Sequence, residues 1–366
     1  MKNLLYFLFA LNFNICRIFP VRKNRVTFLA PHKGGGHDSL AALAAYIEKL
    51  GGFETVFISS SPSGIAAKIK FLLFAPAKLA RSKYIFLNDN FMPMASLNFS
   101  PETVITQLWH GEGAFKKFGL MTDLDDEIRR REEKIGKKLT RVICTSENVR
   151  EVYAEAFGAD ISKVAALGSP RVDRLLSCEN RDEILEKFYA LYPETKGKKL
   201  VLYAPTFRDN PQDDGQILSH IDGKKFEEEL GNGYALLVKL HPQVNSGEKA
   251  PFTLDVTDLD ISDLTLICDV LVTDYSSVCM DFALLGKPCV FYAYDLEKYR
   301  DERSFCFGYE DYVPGDIVRD FDGVISAIKN PRSADKLERF RDFNFDYKDC
   351  FNTKRVADFV LKGERG

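Results

Sequence analysis

The sequence predicts an α/β protein made of two doubly wound, parallel-sheet domains. Two series of apolar strand-like runs, each run followed by a loop or a helical stretch, carry this prediction. A third observation is size, since 366 residues with 45% hydrophobic content can fill two domain-sized cores. A formal net charge of -3 gives no overall basic field, so nucleic acid is excluded as the main partner. A small anionic substrate needs only a local basic patch.

Ahead of the first strand, Leu4, Leu5, Phe7, Leu8, Phe9, Leu11, Phe13, Ile15, Ile18 and Phe19 crowd residues 1–20. A basic collar of Arg17, Arg22, Lys23 and Arg25 follows. Asn12 and Asn14 interrupt the apolar run, which is shorter than the roughly 20 residues that span a bilayer. No small-residue cleavage site marks a signal peptide. Two readings stand: an amphipathic helix lying in the plane of an anionic membrane surface, or a helix packed on its own domain.

The first series of strands is expected at 25–30, 55–58, 84–87, 104–108 and 142–145, with a helix over 39–50 after the loop 31–38. Between them, 123–138 runs from acidic to basic and suits an exposed helix aligned with its own dipole. Its Asp123 and Asp125 match a D-x-D metal motif in outline, but a solvated helix start accounts for them. The second series is expected at 200–203, 235–239, 264–267, 270–272 and 289–292. The linker falls within 178–199, giving domains at 21–185 and 186–366. Ligands of doubly wound sheets bind at the carboxyl ends of the strands. Eight scattered cysteines with no C-x-x-C pair read as reduced thiols, not as a disulfide frame or a zinc site.

Four segments carry chemistry. In 270–288 a buried strand runs through Asp274 into a turn and a helix opening at Ser276 or Ser277, with Asp281 in its first turns. Hydroxyls and free N–H groups at a helix start favour a phosphate, while a plain N-cap is the ordinary use of such a serine. Trp109, His110 and Gly111, followed by Lys116 and Lys117, put a histidine near neutral pKa on a loop after a strand, where it serves as a base or as a structural group. Lys239 and His241 repeat the strand-end histidine in the other half. Arg208 follows a strand, where a guanidinium could clamp phosphate oxygens or pair with a neighbouring carboxylate.

Taken in order, Trp109-His110-Gly111 with Lys116-Lys117, the stretch Gly168 to Asp173, Ala204 to Asp209, Lys239 to Pro242, Thr273 to Ser277 with Asp281, and Phe291 to Arg300 resemble the CDP-glycerol glycerophosphotransferase family. The resemblance runs from about Arg25 to Gly315. It implies a GT-B-like fold with two domains facing a cleft, peripheral attachment at the cytoplasmic face of the cell membrane, and transfer of glycerol phosphate from CDP-glycerol with release of CMP. The acceptor it implies is a lipid-linked teichoic-acid-type or capsular hydroxyl. CDP-ribitol or another CDP-polyol as donor, and a GT-B nucleotide-sugar glycosyltransferase, are the alternatives.

By the same resemblance His110 and His241 are the catalytic pair, and Ser276, Ser277 and Asp281 bind the donor. Arg208, Lys239 and Asp274 complete the expected donor set, with 21–185 as the acceptor side and 186–366 as the donor side. Gly111, Lys116 and Lys117, together with the glycine loop Lys33, Gly34, Gly35 and Gly36, form the expected acceptor set. That loop lacks the order of a nucleotide P-loop, and a ligand-free turn accounts for it equally well. No carboxylate cluster points to a metal, and no cofactor is expected. One departure stands out: where the family has Thr-Pro after Trp-His-Gly, this chain has Glu112-Gly113, a carboxylate beside an anionic substrate.

Overall fold

The computed structural model describes residues 2–30, 38–59, 64–208, 216–241, 244, 250–302, 304–331 and 334–363. The chain divides into two compact units, Met1–Arg174 with Asn344–Gly366, and Leu175–Phe343.

In the first unit β1 (Arg22–Ala30), β2 (Glu54–Ser59), β3 (Ser82–Leu87), β4 (Val104–Gln107), β5 (Arg141–Cys144) and β6 (Val164–Ala166) form a parallel sheet in the order β2-β1-β3-β4-β5-β6. Phe28 is in register with Phe57 and Phe86, and its ring stacks on theirs at 5.0 and 5.6 Å. Such cross-strand aromatic pairs fix register as well as burying area. In the second unit β7 (Lys199–Tyr203), β8 (Tyr234–Val238), β9 (Leu254–Asp255), β10 (Val270–Thr273), β11 (Cys289–Tyr292) and β12 (Asp316–Val318) form a second parallel sheet, ordered β12-β11-β10-β7-β8-β9. The central strands β7, β10 and β11 are buried nearly end to end, as parallel strands covered on both faces must be.

Two expectations change. The apolar run 264–267 is not a strand but the end of a helix, Ile261–Ile267, whose start is capped by Asp260 through the N–H groups of Ser262 and Asp263. All four of its last residues are buried, so the helix shows no polar face there and its period is hidden. The domain boundary moves as well, because the tail does not stay with the second unit. Helix Asn352–Lys362 returns to the first, where Val356, Ala357 and Val360 pack with Leu40, Leu43 and Ile47. Its first N–H groups, from Asn352 and Thr353, are accepted by the Asp173 carboxylate at 3.0 and 2.8 Å.

The apolar N-terminus forms α1 (Lys2–Cys16) and rests on its own unit, against α3 (Ile65–Ala80). Phe9 and Phe13 are buried, with rings 5.1 Å from Phe71 and 5.0 Å from Phe99. Asn12, which breaks the apolar run, donates to the carbonyls of Leu72 and Leu73. Even so, Leu4, Phe7, Leu11 and Ile15 of α1 and Ile65, Ile69, Leu73 and Phe74 of α3 are exposed. Among the described residues no helix is long and apolar enough to cross a membrane. The remaining helices that position the sites are α2 (Ser39–Leu50), as expected, and α4 (Asp126–Lys138), which Asp125 caps in the manner of a solvated helix start. All eight cysteines are free thiols, and burial pushes that of Cys144 up to about 12.

Candidate functional site

Each sheet has a point where the strand order reverses, and the sequence-selected residues gather at both. In the first sheet the reversal lies between β1 and β3, and Asn88 directly follows the end of β3. The backbone carbonyl of Asn88 is 3.0 Å from His110 Nδ1. A carbonyl can only accept, so Nδ1 is the donor in this contact, and in a neutral ring Nε2 would carry the lone pair. His110 is exposed, and its neighbour Trp109 takes a left-handed backbone conformation, φ 60°. That strain is held by the Trp109 N–H bond to Gln107 Oε1 and by stacking of the indole on Phe118 at 4.8 Å. Asn88 is itself buried: its amide donates to Asp38, the cap of α2, and its Oδ1 has no partner among the described residues.

Glu112 does not present a free charge. It is buried, and Arg171 pairs with both of its carboxylate oxygens while the Ser169 hydroxyl donates to one of them. The departure from the family pattern is therefore neutralised by an arginine of the 168–173 motif. Gly111 is engaged through its carbonyl, which accepts the Tyr153 hydroxyl at 2.8 Å. Lys116 is half-buried and Lys117 exposed. Lys33, Gly34, Gly35 and Gly36 lie outside the described residues.

In the second sheet the reversal lies between β7 and β10. Here a cavity of about 620 Å³ is walled by Ala204 and Pro205 after β7, Lys239, Leu240 and His241 after β8, the stretch 257–261, and Ser276 and Val278 after β10. This is the crevice outside the carboxyl ends of the strands where a doubly wound sheet takes its ligand. Lys239 Nζ donates to the carbonyls of Thr257 and Leu259 at 2.7 and 2.6 Å. Burial lowers its pKa, opposed by the Asp260 and Asp258 carboxylates. The exposed His241 ring lies 4.8 Å from that of Phe207.

Of the expected donor set, Lys239 and Ser276 come together on this wall, joined by His241 of the expected catalytic pair. Ser277 is the exposed N-cap residue of helix Val278–Leu284 and makes no capping bond through its side chain. Asp281 is buried in that helix and does not line the cavity. Arg208 and Asp274 differ from the expectation: they are paired with each other, and neither lines the cavity. Arg208 is buried, and its guanidinium donates through Nε and Nη2 to Asp295, through Nη2 also to Asp274, and through Nη1 to the Thr206 carbonyl. Burial alone would lower its pKa, yet the two carboxylates hold it raised and fully charged. Asp274 also accepts the Thr206 N–H. The sequence reading missed Asn88, Phe207, Asp295 and the 257–261 wall. Asp295 falls inside the quoted 291–300 motif, but nothing in that stretch signals an arginine partner 87 residues away.

Two parallel α/β sheets, each with its candidate residues at a reversal of strand order, define the class of proteins built from paired doubly wound units that take their ligands at the strand ends. A solved structure of a variant of the wall teichoic acid polymerase TagF has this fold, with a TM-score of 0.81 at 23% identity over 99% of this chain and 93% of that one. The profile of the CDP-Glycerol:Poly(glycerophosphate) glycerophosphotransferase family matches residues 11–362, and the chain belongs to that family. It is similar to the teichoic acid poly(ribitol-phosphate) polymerase of Bacillus spizizenii, 32% identical over 97% of this chain and 59% of that protein. The teichoic acid ribitol-phosphate primase of the same organism is 33% identical over 81% of this chain and 79% of its own length.

Proposed function

We propose that the protein transfers a polyol phosphate, glycerol phosphate in the first instance, from a CDP-activated donor to a hydroxyl of a lipid-linked teichoic-acid-type or capsular acceptor, with CMP as leaving group. The observation that carries the reading is the cavity at the second strand reversal, which brings Lys239, His241 and Ser276 to one wall in a chain of this family. The donor diphosphate would occupy that wall. The acceptor hydroxyl would belong to the first unit, where His110 Nε2 takes its proton as the oxygen attacks the phosphorus bearing the polyol. Positioning and charge neutralisation carry most of such a reaction.

CDP-ribitol is a second donor to test, because both relatives named above are ribitol-phosphate enzymes. A GT-B-like arrangement at the cytoplasmic membrane face, held through the apolar sides of α1 and α3, completes the proposal. Neither helix contains an acidic residue, and α3 carries Lys68, Lys70 and Lys78, which suits anionic lipid.

The deciding assay is CMP release from CDP-glycerol and from CDP-ribitol with a lipid-linked acceptor, in the wild type and in His110→Ala. The variant should lose about two to four orders of magnitude in kcat with donor affinity nearly intact. Near-normal turnover in His110→Ala would remove the base from the mechanism. Turnover of a UDP-sugar in place of both CDP donors would overturn the proposed chemistry.

A further inference from the structure

Arg208 is committed to two carboxylates, yet Ala204 and Pro205, a few residues ahead of it, wall the cavity. Thr206 is fixed on both sides: its N–H donates to Asp274 Oδ1 at 2.8 Å, and its carbonyl accepts Arg208 Nη1 at 2.6 Å. Two successive peptide planes ahead of Phe207 are thereby held. The guanidinium that holds them is itself caged, with Tyr275, Tyr299 and Tyr294 ring centroids at 5.2, 5.4 and 5.8 Å. Asp295 clamps it through two bonds, at 2.8 and 3.1 Å, and is in turn fixed by the Tyr275 hydroxyl at 2.9 Å. At the end of this chain of contacts the Phe207 ring lies 4.8 Å from the His241 imidazole, at 34°. The ring torsion of a histidine is intrinsically broad, so an exposed imidazole needs a neighbour to set its orientation.

We propose that Phe207 is a positioning residue that holds the His241 imidazole at the cavity wall, and that Asp295, acting through Arg208, is its anchor. The inference rests on the reading that His241 takes part in the transfer. It gives the buried arginine of the 204–209 motif a task it performs without touching substrate. The ring rather than mere bulk is what matters, since a flat face restricts rotation of a second flat ring while an aliphatic side chain leaves it free.

The test uses the full chain with CDP-glycerol as the probe, reading kcat from CMP release and donor affinity by calorimetry. Phe207→Leu should lower kcat roughly 10- to 100-fold, the scale of a reacting group displaced by about 1 Å, with the Kd for CDP-glycerol changed less than about threefold. Phe207→Tyr should recover kcat to within about threefold. Asp295→Asn should lower kcat about tenfold, and the double variant should be no worse than Phe207→Leu, because linked contacts do not add. By NMR the ring-current shift of the His241 imidazole protons should persist in Phe207→Tyr and vanish in Phe207→Leu. If Phe207→Leu does not fold, Phe207→Met replaces it with the same expectation. Wild-type kcat in Phe207→Leu alongside an impaired His241→Ala would overturn the inference and leave the transfer reading standing. An unimpaired His241→Ala would instead remove the reading on which it rests. Failure of Phe207→Tyr to restore kcat would also overturn it.

Discussion

Removing the Arg208 guanidinium should unfold the second unit before it weakens donor binding. In the wild type the Arg208 and Asp274 side chains are 4% and 1% exposed and that of Asp295 is 19% exposed, so the three charges share one largely dry site. Arg208→Ala leaves two carboxylates there with no cation between them. Breaking one buried pair costs about 3–5 kcal/mol, and since Asp295 retains some access to water the loss should stay in that range. For a unit of this size each kcal/mol moves the midpoint by roughly 2–4 °C, so the transition should fall by roughly 6–20 °C. Scanning calorimetry of the full chain reads this directly. The deficit should shrink as the pH falls, because unpaired buried carboxylates take up protons more readily and shed their charge. A variant that melts within about 2 °C of the wild type, yet binds CDP-glycerol tenfold more weakly, would show that Arg208 faces substrate and that the ion-pair reasoning is wrong.

Glu132 offers a pH test of opposite kind. Burial raises its pKa, the Asn90 hydrogen bond opposes, and one carboxylate oxygen is buried with no partner among the described residues. A raised folded-state pKa means the fold is favoured below the ordinary value of 4.5 and loses that advantage as pH rises through the folded value. Glu132→Gln should therefore raise the melting temperature at pH 7 and leave it nearly unchanged at pH 4; an equal effect at both would exclude a charge-based origin. On the membrane side, Phe7→Ser with Leu11→Ser on α1, or Leu73→Ser with Phe74→Ser on α3, should each weaken sedimentation with anionic vesicles roughly tenfold or more, as burial of a large apolar side chain is worth about 1.5–3 kcal/mol. Unchanged binding in both double variants would rule out this face as the lipid contact.

Much of this architecture could be read from residue order because its signals are local. The helix at 39–50 and the strands at β1, β3, β10 and β11 declare themselves by period, branching and punctuation. Where the reading failed, the deciding contact was distant. The 264–267 run is apolar without a period, and only the Asp260 cap distinguishes a buried helix end from a strand. β9 and β12 are sheet edges of two and three residues, too short to show alternation. Arg208 looked like a clamp because a guanidinium after a strand usually faces a ligand, but its carboxylates come from 66 and 87 residues downstream. Glu112 looked like an uncompensated charge for the same reason, its arginine lying 59 residues on. The histidines could be singled out as candidates; the Asn88 carbonyl beside one and the tilted Phe207 ring beside the other could not.

The return of helix Asn352–Lys362 to the first unit makes the order of synthesis matter. The second unit is one continuous stretch, 175–343, and every strand of its sheet has left the ribosome before the first unit has its last helix. Until then the apolar side of α2, at Leu40, Leu43 and Ile47, has no cover from Val356 and Val360, and the Asp173 carboxylate waits for the N–H groups of Asn352 and Thr353. The half of the protein begun first on the ribosome is thus the half completed last. During translation it is the unit bearing His110, rather than the one bearing the cavity, that stands open to chaperones.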